Sequence, residues 1–338
     1  MSATLIPMAD NAIFVEDLQK RFGTVVALAG IDFAVPTGTI FGLLGPNGAG
    51  KTTAVRILTT ILRRDAGRAD VLGVDVDEDP QAVREHIGLA GQYAAVDENL
   101  TGRENLRLVG LLAHLRDTVV RGRADELLEW FDLVDAANRP VRTYSGGMRR
   151  RLDVAAALVH RPPVLFLDEP TTGLDPRSRT DLWAVISQLV REGTTVLLTT
   201  QYLEEADQLA DDIVVIDHGR VIARGTASEL KATVGATIIE IDVAEPANAQ
   251  RARVVLAKHG MCDIETDGHT VELKVKDGPR AAVDVVRTLD REGLEPVSLT
   301  LREPTLDDVF LTLTGHAAEE SPAEEPVTVG RPGTEGAA

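Results

Sequence analysis

Four short runs of mainly apolar residues mark the first two thirds of the chain: ThrIlePheGlyLeuLeu (39–44), ValLeuPheLeu (164–167), ThrValLeuLeuThrThr (195–200) and IleValValIle (213–216). Such runs, bounded by turn residues and lacking alternation, predict strands buried on both faces of a parallel sheet. Residues 13–20 and 31–35 alternate instead, which predicts strands with one face in a core. Between 102 and 136 the positions Leu106, Leu111, Leu115, then Leu127, Leu128 and Phe131 recur at helical spacing, and a further helix is expected from about Lys51 to Leu62. His218 and Gly219 separate two strand-like runs and read as a two-residue hairpin turn rather than as chemistry. Beyond Leu230 the texture is strand (237–244), helix (247–259), a strand pair around Asp267 and Gly268, helix (279–292) and strand (296–302). That βαββαβ order predicts a small ferredoxin-like α+β domain, followed by a last helix from Thr305 to Leu313. From His316 onward the Ala, Glu, Pro and Gly content cannot build a core, so 316–338 is expected to be a disordered tail.

A chain of 338 residues exceeds what one core usually organises, so two domains are expected. Asp and Glu number 53 against 35 Lys and Arg, and the resulting formal charge of −18 repels nucleic-acid phosphate and anionic lipid. The densest basic clusters, Arg149–Arg151 and Arg121 with Arg123, are short, lie in helical patterns and are expected to be solvated faces. With Cys262 as the only cysteine, no intrachain disulfide or thiolate metal cluster can form, which suits a reducing cytosol. No signal-peptide pattern and no run of 18 apolar residues is present, so work at a membrane would need another chain to cross it.

The chemistry concentrates where those apolar runs end. GlyProAsnGlyAlaGlyLysThrThr (45–53) follows the first run and precedes a helix, the context of a phosphate-binding loop. The bare pattern arises by chance in roughly one chain of this length in a hundred, and the flanking strand and helix make it stronger. Gly45, Gly48 and Gly50 let the loop, with Pro46, Asn47 and Ala49 between them, curl its backbone N–H groups around phosphate oxygens at the positive end of the helix. Pro46, Asn47, Ala49 and Thr53 are therefore expected to line the nucleotide site along with the glycines. Lys51 is expected to pair with the β/γ-phosphates and Thr52 to bind Mg²⁺. Asp168 and Glu169 close the run 164–167 at the ligand edge of an α/β sheet. Asp168 can hold Mg²⁺ and Glu169 can orient and deprotonate a water, where an ordinary acidic helix start is the alternative. TyrSerGlyGlyMet (144–148) opens a helix whose first turn holds two glycines, each costing up to about 1 kcal/mol against alanine. Close approach of those N–H groups to an anion would compensate, and a plain Ser145-capped helix is the alternative.

In order, GlyProAsnGlyAlaGlyLysThrThr, Gln92 in AlaGlyGlnTyr, TyrSerGlyGlyMetArgArgArgLeu, LeuPheLeuAspGluPro and GlyLeuAspPro (173–176) resemble the ATP-binding cassette ATPases over residues 11–230. The resemblance implies a P-loop NTPase fold with a helical subdomain at about 93–160, ATP and Mg²⁺ as cofactors, and 231–315 as an accessory domain. It also implies a head-to-tail homodimer with each ATP between the loop of one copy and Ser145, Gly146, Gly147 and Met148 of the other. By the same resemblance Gln92 contacts Mg²⁺ and the attacking water, Asp175 spans the dimer seam, and Phe22 stacks on adenine, with burial in a core as its alternative. Gln201 stands where the family usually has a histidine; its amide can donate to phosphate but cannot take up a proton near neutral pH. Gln201 and the ending GluProThrLeuAspAspValPheLeuThrLeuThrGly (303–315) resemble the branch of daunorubicin/doxorubicin resistance ATPases of bacterial drug exporters. The expected function is an ATPase at the cytoplasmic face of a membrane, driving a separate integral membrane permease that exports a hydrophobic drug or antibiotic-like compound, touching the bilayer only through that permease and binding no nucleic acid. The rivals are a soluble cassette ATPase of DNA or ribosome processes and a transporter ATPase for a non-drug substrate. Residues 93–144 are too short for the coiled coil of the chromosome members, and only one glycine loop is present.

Overall fold

The computed structural model of the chain describes residues 11–91, 96–234, 237–275 and 278–314. Strands β1 (Asn11–Phe22) and β2 (Val25–Pro36) pair as a hairpin, β3 (Ile40–Leu44) runs into the glycine loop, and α1 (Lys51–Leu58) leaves it. Next come β4 (Ala66–Val71), β5 (Val74–Asp75), α2 (Pro80–Glu85) and β6 (Ile87–Ala90), then the helices α3 (Gly102–Leu112), α4 (Asp117–Trp130) and α5 (Gly146–Ala157). They are followed by β7 (Val164–Asp168), α6 (Pro176–Arg191), β8 (Thr195–Thr200), α7 (Leu203–Leu209), β9 (Asp212–Asp217), β10 (Arg220–Gly225) and α8 (Ala227–Val234). The rest is β11 (Thr237–Val243), α9 (Pro246–Lys258), β12 (Ile264–Asp267), β13 (Thr270–Val275), α10 (Gly278–Arg291), β14 (Pro296–Arg302) and α11 (Leu306–Thr314). The tail 316–338 lies outside the described residues.

The central sheet has the order β10-β9-β3-β8-β7-β6, parallel except for β10. Every residue of β3, β7 and β8 is buried, which is why their sequences run apolar without alternation. Successive side chains go to opposite faces: Leu165, Leu167, Val196 and Leu198 pack with Leu106, Phe131, Leu152 and Ile186 of the helices, whereas Phe166 and Leu197 pack with Ile57 and Leu58 of α1. That second core also takes the inner face of an antiparallel sheet ordered β2-β1-β4-β5, where Phe33 stacks on Phe41. The helix starting at Lys51 stops at Leu58, short of the expected Leu62. Thr59 returns its hydroxyl to Val55 O at 2.8 Å, Thr60 turns left-handed, and Ile61 and Leu62 both donate to Arg56 O. Side-chain bonding to the backbone competes with helix continuation there.

The hairpin at 218–219 forms as expected, with His218 and Gly219 both at positive φ, the requirement of a two-residue type I′ turn. In the C-terminal part the antiparallel order is β12-β13-β11-β14, the arrangement of a βαββαβ ferredoxin-like sheet. Ile239, Ile241, Val271 and Leu273 face α9 and α10 through Leu256, Val285 and Leu289. Helix α11 does not join this core. Leu306, Val309 and Phe310 pack on Leu203, Ala206, Leu230 and Val215, and on Leu44 at the end of β3, so the last described helix docks on α7, α8 and the face of the central sheet opposite the one that α1 covers.

Candidate functional site

At the end of β3 the chain turns at Gly45, where a Cβ would lie 2.2 Å from Ile216 O, and at Gly50, where one would lie 2.6 Å from Ala27 O. Both have positive φ, so backbone and space together require glycine. Between them Asn47 and Gly48 form an exposed turn, closed by Ala49 N donating to Pro46 O at 3.2 Å, and Ala49 is buried behind it. Pro46, Asn47 and the residues on to Thr53 line an open cleft of about 280 Å³ whose other walls are Val25–Ala27 of β2 and Glu169. The structure thus brings Asn47 to the cleft with the rest of the loop, as the sequence pattern expects. Lys51 is buried and its Nζ donates to Gly45 O at 2.6 Å and Pro46 O at 3.1 Å, which lays the ammonium along the loop. The hairpin turn braces the loop from outside: Gly219 N donates to Ala49 O at 3.0 Å, and Ala29 N donates to Gly219 O at 2.8 Å.

Strand β8 lies between β3 and β7, so its end meets both the loop and the carboxylates. Thr199 stands opposite Asp168 in register and donates from Oγ1 to Asp168 Oδ1 at 2.5 Å. Thr52 Oγ1 reaches the same oxygen at 3.3 Å. Thr199 also holds the next residue, accepting from Glu169 N at its carbonyl (3.0 Å) and at its hydroxyl (3.1 Å). Glu169 adopts φ 51, a left-handed backbone that costs a non-glycine residue roughly 1–3 kcal/mol and persists only where its surroundings impose it. Its side chain is buried at the cleft wall and accepts from Thr172 Oγ1 at 3.3 Å. The donors facing one another here, a hydroxyl and a carboxylate, are hard oxygens of the kind that hold Mg²⁺ together with waters and phosphate.

Ser145 caps α5, its Oγ accepting from Met148 N at 3.2 Å. Ser145 and Gly146 are exposed, and residues 145–148 do not line the cleft around the glycine loop. Asp175 caps α6 beside them, accepting from Ser178 N at 2.9 Å and Ser178 Oγ at 2.7 Å, with the Gly147 backbone packed against Ser178. Two helix N-termini therefore share one exposed surface, apart from the chain's own glycine loop. Phe22 is 49% exposed, under the Lys20 ammonium at the end of β1, and belongs to no hydrophobic core formed by the described residues. Gln201 follows β8, and its Oε1 is buried without a hydrogen-bond partner among the described residues. Gln92 lies outside the described residues.

The arginine clusters depart from the sequence reading. Arg121 is solvated as expected, 63% exposed, but Arg123 is 8% and Arg150 11% exposed. Arg123 donates to Leu158 O, Arg151 to Phe131 O, and Arg150 to three backbone carbonyls at the ends of β6 and β7. Guanidinium stems bury readily when carbonyls satisfy the head. Thr199 is a further residue that sequence reasoning misses, although ThrThr closing a buried strand is its visible signal. Glu205 on α7 is wholly buried and accepts from Trp183 Nε1 at 3.1 Å. Burial pushes its carboxyl above the usual range. A raised native value means that stability is full at low pH and declines as pH rises from about 4.3, where the unfolded group ionises, toward the native value. Glu205→Gln keeps the acceptor for Trp183 and removes that loss. Melting is expected to be higher than wild type at pH 8 and to converge with it near pH 4, by calorimetry; a constant offset at both pH values would show that Glu205 ionisation is not the source.

A phosphate loop leaving a parallel strand, with a carboxylate pair facing it across β8, is the machinery of a nucleoside triphosphatase, and the helical insertion ending in serine-glycine-glycine narrows it to the ATP-binding cassette class. The ABC transporter family model matches residues 28–172, and the model for the C-terminal domain of DrrA1-3-like ATP-binding proteins matches 225–314. The chain is 56% identical, over 91% of its length and 97% of the relative's, to daunorubicin resistance ATP-binding protein DrrA3 of Streptomyces coeruleorubidus. It is 49% identical to daunorubicin/doxorubicin resistance ATP-binding protein DrrA of Streptomyces peucetius, over 93% and 96%. A solved ATP-binding subunit of an ABC transporter superposes with a TM-score of 0.61 at 27% identity, over 66% of this chain and 92% of that one. The chain thus belongs to the DrrA-like ATP-binding subunits of ABC transporters, and it is an ATPase.

Proposed function

We propose that two copies of this chain clasp two ATP molecules and, at the cytoplasmic face of the membrane, drive a separate permease that exports a hydrophobic drug. The separation of two surfaces carries the reading: the loop 46–53 lines one cleft, while Ser145–Met148 and Asp175 present helix N-termini elsewhere, open to a second molecule. Helix N-termini favour anions, so the serine-glycine-glycine end of one copy suits the triphosphate held by the other. Within a site, Lys51 pairs with the phosphates, Asn47 and its loop neighbours wrap them, Gln201 offers its amide to them, Phe22 receives the adenine, and Glu169 takes a proton from the attacking water. Thr52 Oγ1 and Asp168 Oδ1 would hold Mg²⁺, directly or through water. When bound, the ion neutralises charge on the phosphate oxygens. The permease and drug follow from relatives named for daunorubicin and doxorubicin resistance. Among the described residues no helix is long and apolar enough to cross a membrane.

Complementation tests the shared site. Lys51→Ala and Ser145→Arg chains are each expected to be inactive, while their equimolar mixture recovers about a quarter of wild-type ATPase activity, because half the dimers are mixed and each keeps one intact site. No recovery would remove the paired-copy reading. For the export reading, tagged chain from its own cells is expected to co-purify with an integral membrane protein; recovery from the soluble fraction alone counts against it.

A further inference from the structure

Helix α5 carries at its start the residues proposed to face the second copy's nucleotide, and one turn later it carries Arg150, which points back into the chain's own site. Arg150 Nε donates to Pro170 O at 2.8 Å and Nη2 to Asp168 O at 3.0 Å, so one edge of the guanidinium grips the carbonyls on both sides of Glu169. Nη1 donates to Gly91 O at 2.5 Å, just beyond β6, and to Asp153 Oδ2 at 3.1 Å. Asp153 is itself buried, which fixes the fork from the helix side. Thr199 meanwhile holds Glu169 by its N–H. The left-handed peptide at Glu169 is thus held on one side by β8 and on the other by α5. Neighbouring arginines go elsewhere, Arg149 to Glu98 and Arg151 to Phe131 O, so this role falls to the middle one.

We infer that Arg150 is a positioning residue that locks the start of α5 to the peptide carrying Glu169, so that the surface offered to the partner copy's nucleotide and the carboxylates acting on the chain's own nucleotide move as one piece. A planar fork with five N–H donors in fixed directions meets four acceptors here, one more than the three donors of an ammonium on a flexible stem can serve. In a paired assembly this makes each copy report the geometry of one site to the other. The inference rests on the paired-copy reading above.

The test uses the full-length chain with Arg150→Lys, which keeps a positive charge beside Asp153, and with the double variant Arg150→Gln/Asp153→Asn, which removes both charges together should the first fold poorly. In each, kcat is expected to fall about 10- to 100-fold while the ATP affinity, read by calorimetry, stays within about threefold, because the glycine loop is untouched and only the carboxylate geometry loosens. In a Glu169→Gln background, where ATP is expected to hold copies together, adding Arg150→Lys is expected to raise the ATP concentration needed for dimers on size exclusion at least about tenfold, as Ser145–Gly147 lose their anchor. Wild-type kcat in both Arg150 variants overturns the inference. Dimers that form in Glu169→Gln and are not weakened by Arg150→Lys overturn the link between the sites alone. No dimers in Glu169→Gln at any ATP concentration overturn the paired-copy reading, and the link with it.

Discussion

Glu169→Gln is expected to bind ATP with near wild-type affinity and to hydrolyse it about 10²- to 10⁴-fold more slowly, the range lost with a general base. The amide matches the carboxylate in shape and can still accept from Thr172 Oγ1, which lies 3.3 Å from Glu169 Oε2. The backbone is unaffected, since Thr199 and Arg150 hold the peptide through main-chain atoms of residues 168–170. What the variant lacks is a site for the water's proton. With cleavage slowed and binding intact, ATP-bound dimers should accumulate and be visible by light scattering. Turnover equal to wild type would take the base role away from Glu169.

Lys51→Ala has the second large effect, on affinity instead of turnover. At an effective dielectric of about 20, an ammonium 4 Å from a phosphate charge gains roughly 4 kcal/mol before its desolvation is subtracted. The upper bound on the loss is therefore about a thousandfold in Kd. Nζ already lies on the loop carbonyls of Gly45 and Pro46, so little of that gain is spent on ordering the side chain. The fold should survive: alanine is the best helix former, and α1 is anchored by Ala54, Val55, Ile57 and Leu58. Calorimetry should show ATP binding weakened by up to about a thousandfold, with the melting curve of the free chain retained. Unchanged affinity would mean that the glycine loop does not grip the triphosphate through this lysine.

Both effects concern residues readable in the sequence, because the phosphate loop and the carboxylate pair are contiguous stretches whose chemistry depends on neighbours one or two positions away. Asn47 belongs with them: its place at the cleft follows from the glycines on either side of it. The residues that orient the loop and the carboxylates are not readable in that way. Thr199 matters only because β8 is inserted between β3 and β7, and sheet order is not written in any single strand. Arg150 reads as a solvated side chain because helical periodicity records which face a residue is on, not which carbonyls arrive opposite it.

The amino-acid sequence alone determined the buried strands of the central sheet, the glycine loop between β3 and α1, the βαββαβ order of the C-terminal part and the hairpin at 218–219. All of these depend on the side-chain period or on turn stereochemistry, which act over a few residues. Only the tertiary structure decided that α11 returns to Leu44, that Glu169 is held in a left-handed turn, and that Arg150 spans 59 residues to Gly91 and 18 to Asp168. Those arrangements join parts of the chain far apart in sequence. They become definite only when packing has brought the donors and acceptors together and excluded the water that would otherwise satisfy them.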